Sequence, residues 1–238
     1  MRMASKINQR RFSIVLMRFI VLVCFVSVPI TTLAQDPWQA TNERLFALNE
    51  FFDVSLVKPI ATTYKTLVPG VAQQAFSNFL SNIDDVNVVA NDILQLKFNA
   101  AISDCSRLLL NSVVGIAGFI DVASPLGFYK NEEDFGQTLG HWGVESGPYV
   151  VLPVLGASTV RDSAALIVDT LANPIHYIHN SSRRYAMYGA REVEFRSSLL
   201  ELDDSISGDR YLFLREAYLQ RREYLILDGK IATMFDDF

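Results

Sequence analysis

After residue 34 this chain has no apolar run long enough to cross a bilayer, although half of the full sequence is hydrophobic. A spanning helix needs roughly 20 consecutive apolar residues. The nearest approach, Leu108 to Ile120, is interrupted by Asn111 and Ser112 and carries Gly115 and Gly118. High apolar content without a span leaves two outcomes: helices lying in or against a membrane interface, or a greasy globular core. Composition alone does not choose between them.

The first 34 residues have the order of a secretory signal. Arg2, Lys6, Arg10 and Arg11 form a basic start, Phe19 to Ile30 is nearly all apolar, and Thr32-Leu33-Ala34 offers small residues to a signal peptidase. Met17 to Ile30 is too short to anchor the chain as a spanning helix and contains Arg18 and Pro29. Cys24 raises lipidation as an alternative, but Val23 before it is not small and the cysteine lies inside the apolar run. Cleavage after Ala34 is the expectation. The mature chain then keeps 16 Lys and Arg against 26 Asp and Glu, a formal charge of −10. That balance argues against a nucleic-acid partner and against simple electrostatic adhesion to anionic lipid. Cys105 is the one cysteine left, so no internal disulfide is expected.

Periodicity predicts a mostly helical chain. Leu45, Leu48 and Phe52 repeat at helical spacing, with a break at Pro59. Pro69-Gly70 reads as a turn before a short helix over Val71 to Leu80. Residues 86–102 read as one amphipathic segment, with Val89, Ile93, Leu96 and Ala100 on one side and Asn91, Gln95 and Asn99 on another. From Asp121 to Gly156 six glycines and three prolines interrupt apolar sequence, which predicts turns and short extended pieces. An apolar loop of that length must bury itself in protein or lipid, and loops of this kind are usually functional. Helix resumes at Ser158, and Arg183 to Arg222 is charged, water-facing helix with a turn at Ser207-Gly208. The expected organisation is a signal peptide over 1–34, a membrane-embedded part over 35–182 with its hairpin at 121–156, and a charged helical region over 183–238.

Catalytic and metal signals are weak. His176 and His179 could share a metal on one helix face, with Asp169 as the local carboxylate, but zinc needs further ligands and interfacial or capping histidines are the commoner case. Ser146, His141 and Asp134 make a triad on paper, without the Gly-x-Ser-x-Gly elbow that would lend it weight. No phosphate or dinucleotide loop is present. No catalytic residue, metal or cofactor is expected.

The most distinctive stretch is Glu133-Asp134-Phe135-Gly136-Gln137-Thr138-Leu139-Gly140-His141-Trp142-Gly143, continuing to Gly147-Pro148-Tyr149. With Asp36-Pro37-Trp38, Asn42 and Asn49 before it, then Asn91-Asp92, Arg107, Asn111-Ser112, Arg161-Asp162 and Arg215 to Arg222, it resembles the VacJ/MlaA family along essentially the whole mature chain. The resemblance implies an all-α fold: a ring-like arrangement of amphipathic helices embedded in one leaflet, the inner leaflet of the outer membrane, with a channel for phospholipid. It implies removal of mislocalised phospholipid from the outer leaflet and delivery to a soluble periplasmic lipid carrier, with a trimeric outer-membrane porin holding the ring. On that reading Asn91 and Gln95 face the channel, although such amides can equally cap or solvate helices. Gly140, His141, Gly143 and Gly147 form the gating hairpin, and Arg215, Arg221 and Arg222 lie where the carrier docks. Three features depart from the family pattern: Glu145 where glycine is frequent, Glu43 where arginine commonly follows the opening Asn, and the missing lipidation signal. An envelope phospholipase, or a structural porin-associated protein, is the rival reading.

Overall fold

The computed structural model describes residues 36–206 and 208–229. The predicted signal segment, including Cys24, lies outside them. The described chain is helical. In order it runs α1 (Gln39–Phe52), a π turn (Asp53–Val57), α2 (Lys58–Leu67), α3 (Gly70–Leu94) and α4 (Phe98–Val113). After a 3₁₀ turn (Ser124–Leu126) come α5 (Phe135–His141), β1 (Tyr149–Leu152), β2 (Gly156–Thr159) and α6 (Val160–Ala172). The chain closes with a 3₁₀ turn (Pro174–Tyr177), α7 (Ser181–Leu199), a 3₁₀ turn (Leu200–Ser205) and α8 (Arg210–Ile226). The expected all-α class holds, with one antiparallel hairpin pairing Tyr149 with Thr159 and Leu152 with Gly156.

Two expectations change at helix boundaries. Pro59 does not break the first helical stretch; the chain absorbs its missing donor with a π turn in which Lys58 N–H reaches Asp53 O. Residues 86–102 are not one helix. α3 runs unbroken from Gly70, stops at Leu94, and Leu96 takes a left-handed conformation (φ 62°) before α4 begins. The apolar spacing was continuous across this corner, which is why periodicity alone passed over it.

Contacts between elements close a circuit. α1 packs on β1, the hairpin on α6, α6 on α3, α3 on α7, and α7 on α2, which continues from α1. α4 lies along α3, and α8 seals α5 and β2. This closed circuit agrees with the expected ring-like arrangement. The helices after residue 183 belong to the same compact unit, Pro37–Phe238.

β1 owes its position to α1. Asn42 Nδ2 donates to Tyr149 O (3.0 Å) while its Oδ1 accepts from Val151 N (2.9 Å). Two turns on, Asn49 repeats the pattern with Leu152 O (2.9 Å) and Val154 N (2.8 Å). The two amides stand in for the missing neighbouring strand, and each satisfies backbone groups the hairpin edge would otherwise leave open.

Candidate functional site

The burial pattern is inverted. Among the described residues the buried set holds 10 apolar side chains against 18 polar or charged ones. Globular cores run the other way, because burying polar groups costs free energy unless they are paired. α4 shows the arrangement most plainly. Phe98, Ile102, Leu109 and Val113, on one face at helical spacing, are all more than half exposed, while Ala101, Asp104, Arg107 and Asn111 are buried. α3 turns Asn82, Asp85, Asn91 and Asp92 inward, and α6 leaves Ile167 and Leu171 exposed while burying Arg161 and Asp162. No described helix is long and apolar enough to cross a membrane. Of the two outcomes left open by composition, the greasy core is therefore the wrong one.

Inside, three polar clusters join the elements. In the first, Arg107 reaches Asp121 Oδ2 (3.0 Å), Ser124 Oγ (2.7 Å) and Phe128 O (3.1 Å), and Lys130 Nζ reaches Asp85 Oδ1 (2.8 Å) and Ser81 O (2.8 Å). Asn111 Oδ1 accepts from Val122 N and Ala123 N. Burial alone would raise the Asp121 carboxyl, but bonds from Ser124, Arg107 and Asn111 hold it far below the usual carboxylate range. These bonds pin the loop after α4 to the inner faces of α3 and α4.

The second cluster fastens α8. Arg222 forks onto Asp134, at 2.6 Å from Nη2 to Oδ1, and onto Asp162 Oδ2, 2.9 Å from Nε. Tyr218 Oη and Arg161 Nε also reach Asp162, at 2.8 and 2.9 Å. Burial works to raise Asp134 and Asp162, and the Arg222 guanidinium outweighs it, so both stay ionised below the ordinary range. Gly136 makes the approach geometrically feasible. A Cβ there would sit 2.3 Å from Arg222 Nη2 and 2.5 Å from Asp162 Oδ1.

The third cluster lies at the α3–α4 corner. Gln95 Nε2 donates to Glu133 Oε2 (2.7 Å) and to Thr138 Oγ1 (3.1 Å), and Thr138 Oγ1 donates to Asn91 Oδ1 (2.7 Å). Lys97 Nζ pairs with Glu133 Oε1 (2.7 Å) and with Asp228. Asp92 and Asp104 are both fully buried; Asp104 Oδ2 accepts from Asn131 Nδ2 (2.7 Å), whereas neither Asp92 carboxyl oxygen has a hydrogen-bond partner among the described residues. Burial, with the Asp104 carboxyl close by, pushes the Asp92 carboxyl up to about 7. Beside this cluster opens a cavity of about 530 Å³, walled by residues 96–100 with Asn131, Glu133 and Asp228.

The residues singled out in the sequence fall into different places. Asn91 and Gln95 do turn inward, joined through Thr138. Gly140 is packed rather than free, since a Cβ there would lie 2.9 Å from Arg161 Nη1 and 3.0 Å from Ile226. His141 is exposed at the end of α5. Gly143 and Gly147 both have positive φ, 85° and 67°, in the exposed link from α5 to β1. Arg221 is exposed and pairs with Glu132, and Arg215 pairs with Glu216, whereas Arg222 points inward. The paper triad is not assembled. Asp134 and His141 stand at opposite ends of α5, about 10 Å apart by helical rise. Asp169 accepts from Phe135 N (3.0 Å) rather than meeting a histidine, and burial pushes it up to about 6.

This combination, apolar surface outside and ionised or amide groups inside without a spanning helix, suits an amphiphile's path. Comparison with known proteins agrees. The profile of the family described as "MlaA lipoprotein" matches residues 34–225. The chain belongs to the MlaA lipoprotein family. A member from Shigella flexneri, named "Intermembrane phospholipid transport system lipoprotein MlaA", is 33% identical over 204 residues, covering 82% of this chain and 80% of the relative. The Escherichia coli K12 protein of the same name is 32% identical over equal coverage. A solved structure described as "Structural basis for maintenance of bacterial outer membrane lipid asymmetry" superposes with a TM-score of 0.73 at 32% identity, covering 81% of this chain and 99% of that one. Asp104 and Asp228 were passed over in the sequence, and Glu133 and Lys97 were seen only as parts of the family pattern, with no role given to either. The available signal was charge within an apolar helical run, as at Asp104 and Arg107 on α4.

Proposed function

We propose that this chain is the outer-membrane component of an intermembrane phospholipid transport system. It removes mislocalised phospholipid from the outer leaflet and passes it to a soluble periplasmic carrier. The observation that carries this reading is the inverted burial of α3, α4 and α6. A phospholipid leaving its leaflet needs polar groups for its headgroup while its chains stay in hydrocarbon. Helices with amide and charged inner faces and apolar outer faces supply both, and family membership supports the same conclusion.

The protein rests on the periplasmic face of the outer membrane, held in the inner leaflet by those outer faces and by a trimeric porin. The carrier meets the exposed side of α8 near Arg221, while Arg222 positions that helix from within and Arg215 lies mostly covered on the same inner side. No bond is made or broken, so the chain acts without a cofactor. Direction is set by the partners, since a passive path has no preferred sense. Deleting the gene is expected to raise surface-exposed phospholipid, quantified by labelling of intact cells, with restoration on complementation. An unchanged outer leaflet would overturn the reading. Mass spectrometry of the mature protein is expected to find a free N-terminus at Gln35; an acylated Cys24 would replace membrane retention by helix faces with a lipid anchor.

A further inference from the structure

At the α3–α4 corner, three distant parts of the chain build one charged seat beside an apolar rim. Lys97 comes from the corner itself, Glu133 from the loop before α5, and Asp228 from the end of α8. Glu133 is held twice, by Lys97 Nζ and by Gln95 Nε2, each at 2.7 Å, with its side chain only 7% exposed. Its direction is therefore fixed before any ligand arrives. Asp228 lies on the open side. No side chain caps α4, so the first-turn N–H groups of Phe98, Asn99 and Ala100, which lack helical partners, belong to residues that wall the cavity.

The seat holds one ammonium and two carboxylates. An anionic headgroup alone would meet an excess of negative charge, and a simple cation would leave Lys97 and the start of α4 unused. A ligand carrying both signs uses all of them. Leu96 and Phe98, both more than half exposed at the mouth, extend into the outward apolar face through Ile93 and Ile102. The rim asks for hydrocarbon. The volume, about 530 Å³, is that of a small-molecule site and not of a whole diacyl lipid.

We propose that this cavity seats the headgroup of a zwitterionic, primary-amine phospholipid. Asp228 and Glu133 take its ammonium, Lys97 and the first turn of α4 take its phosphate, and its chains lie along Leu96 and Phe98. The assignment rests on the transport reading and adds the headgroup class to it. A primary ammonium donates hydrogen bonds to both carboxylates, so the preference over phosphatidylglycerol is a charge-assisted one.

The test uses the full-length protein in nanodiscs of equal phosphatidylethanolamine and phosphatidylglycerol, with bound lipid read by native mass spectrometry. The wild type is expected to enrich phosphatidylethanolamine about tenfold. Asp228→Asn, which keeps the left-handed backbone that asparagine tolerates at φ 52°, should cut the enrichment to roughly threefold, and Glu133→Gln to near unity. Equal binding of the two lipids by the wild type, or an undiminished preference in Asp228→Asn, would overturn the assignment. If Glu133→Gln loses its helical circular dichroism, Asp228→Asn carries the test alone. Water-soluble glycerophosphoethanolamine should fail to displace the lipid, and displacement by it would overturn the role given to the rim. Absence of any bound lipid would count against the transport reading itself.

Discussion

On α4 the outward residues are Phe98, Ile102, Leu109 and Val113, and the inward ones include Asp104, Arg107 and Asn111. Around α8 the outer face is mixed and largely charged: Tyr211 packs inside with Tyr149 and Val151, and Arg222 turns in to its carboxylates, while Arg221 and Glu223 face out beside Leu212 and Phe213. The first region is built for hydrocarbon and the second for water. One chain therefore uses two rules of burial, and the side a residue faces means different things at the two ends. The largest expected effect breaks that contrast directly. Ile102→Glu with Leu109→Glu should cost roughly 2–3 kcal/mol each at hydrocarbon depth and release the protein from membranes in a flotation assay. The same charge at Gln220 on exposed α8 should change little, within about 0.5 kcal/mol. Equal loss from both sites would mean that the two regions share one environment.

Next comes the joint between the regions. Arg222→Met strands Asp134 and Asp162 without their partner, which costs about 3–5 kcal/mol for a broken buried pair. Because Arg222 depresses both carboxyls, their contribution is present at neutral pH and is lost as pH falls below the ordinary carboxylate range. Thermal melts of wild type and Arg222→Met in detergent should therefore differ most near pH 7 and converge toward pH 3. A constant gap across that range would show that Arg222 acts through packing alone.

The helical class and the glycine-rich block were legible from residue spacing, which also set Asn91, Gln95 and Asn99 on one side; the inward turn was implied by the family resemblance, and past the corner Asn99 is exposed. The corner at Leu96 was not legible. Its cause is a left-handed residue with a side chain, and periodicity registers faces rather than backbone handedness. Arg222 was misread for a related reason. A charged helix looks water-facing in sequence, and only the carboxylates of α5 and α6, some sixty to ninety residues earlier, turn that arginine inward. The glycines expected in the hairpin precede it: Gly140 belongs to the packing of α5 and Gly143 to the open turn, a distinction made by Arg161 and Ile226 and absent from the motif itself.

The tie between α1 and the hairpin predicts a smaller loss. Asn42→Ala removes the bond to Tyr149 O and the bond from Val151 N in a buried place, about 2 kcal/mol. Asn42→Asp, which can still accept from Val151 N but cannot donate to Tyr149 O, should lose at least as much at neutral pH. Chemical denaturation in detergent measures both. Smaller still, and opposite in sign, is Asp92→Asn. The Asp92 carboxyl is pushed up to about 7, so the folded state holds a proton that the unfolded state releases near the ordinary value of 3.8. Stability therefore falls as pH rises from about 4 to 7. Asparagine is neutral at every pH and so avoids burying a charge there; it should raise the melting temperature at pH 8 by about 2–4 °C while changing little at pH 5. A uniform shift at both values would show that Asp92 does not titrate between them.

The least effect is expected where the chain is most open. Glu145 is exposed between Gly143 and Gly147, in the link that carries α5 into the hairpin. It makes none of the interior bonds, so Glu145→Gly should cost no more than about 1 kcal/mol through backbone freedom. What it should alter is local motion: faster amide exchange over residues 142–148 with protection of β1 and α6 unchanged. The hairpin beyond the link is clamped by Asn42 and Asn49, and Gly147 abuts Val160 at the start of α6. Loosening at 145 therefore has a boundary. If exchange quickened through β1 as well, the clamps would be weaker than their four hydrogen bonds imply, and the link and hairpin would move as one. If exchange at 142–148 stayed as in wild type, the two flanking glycines would already supply all the freedom the link can use, and glutamate at 145 would leave its motion untouched.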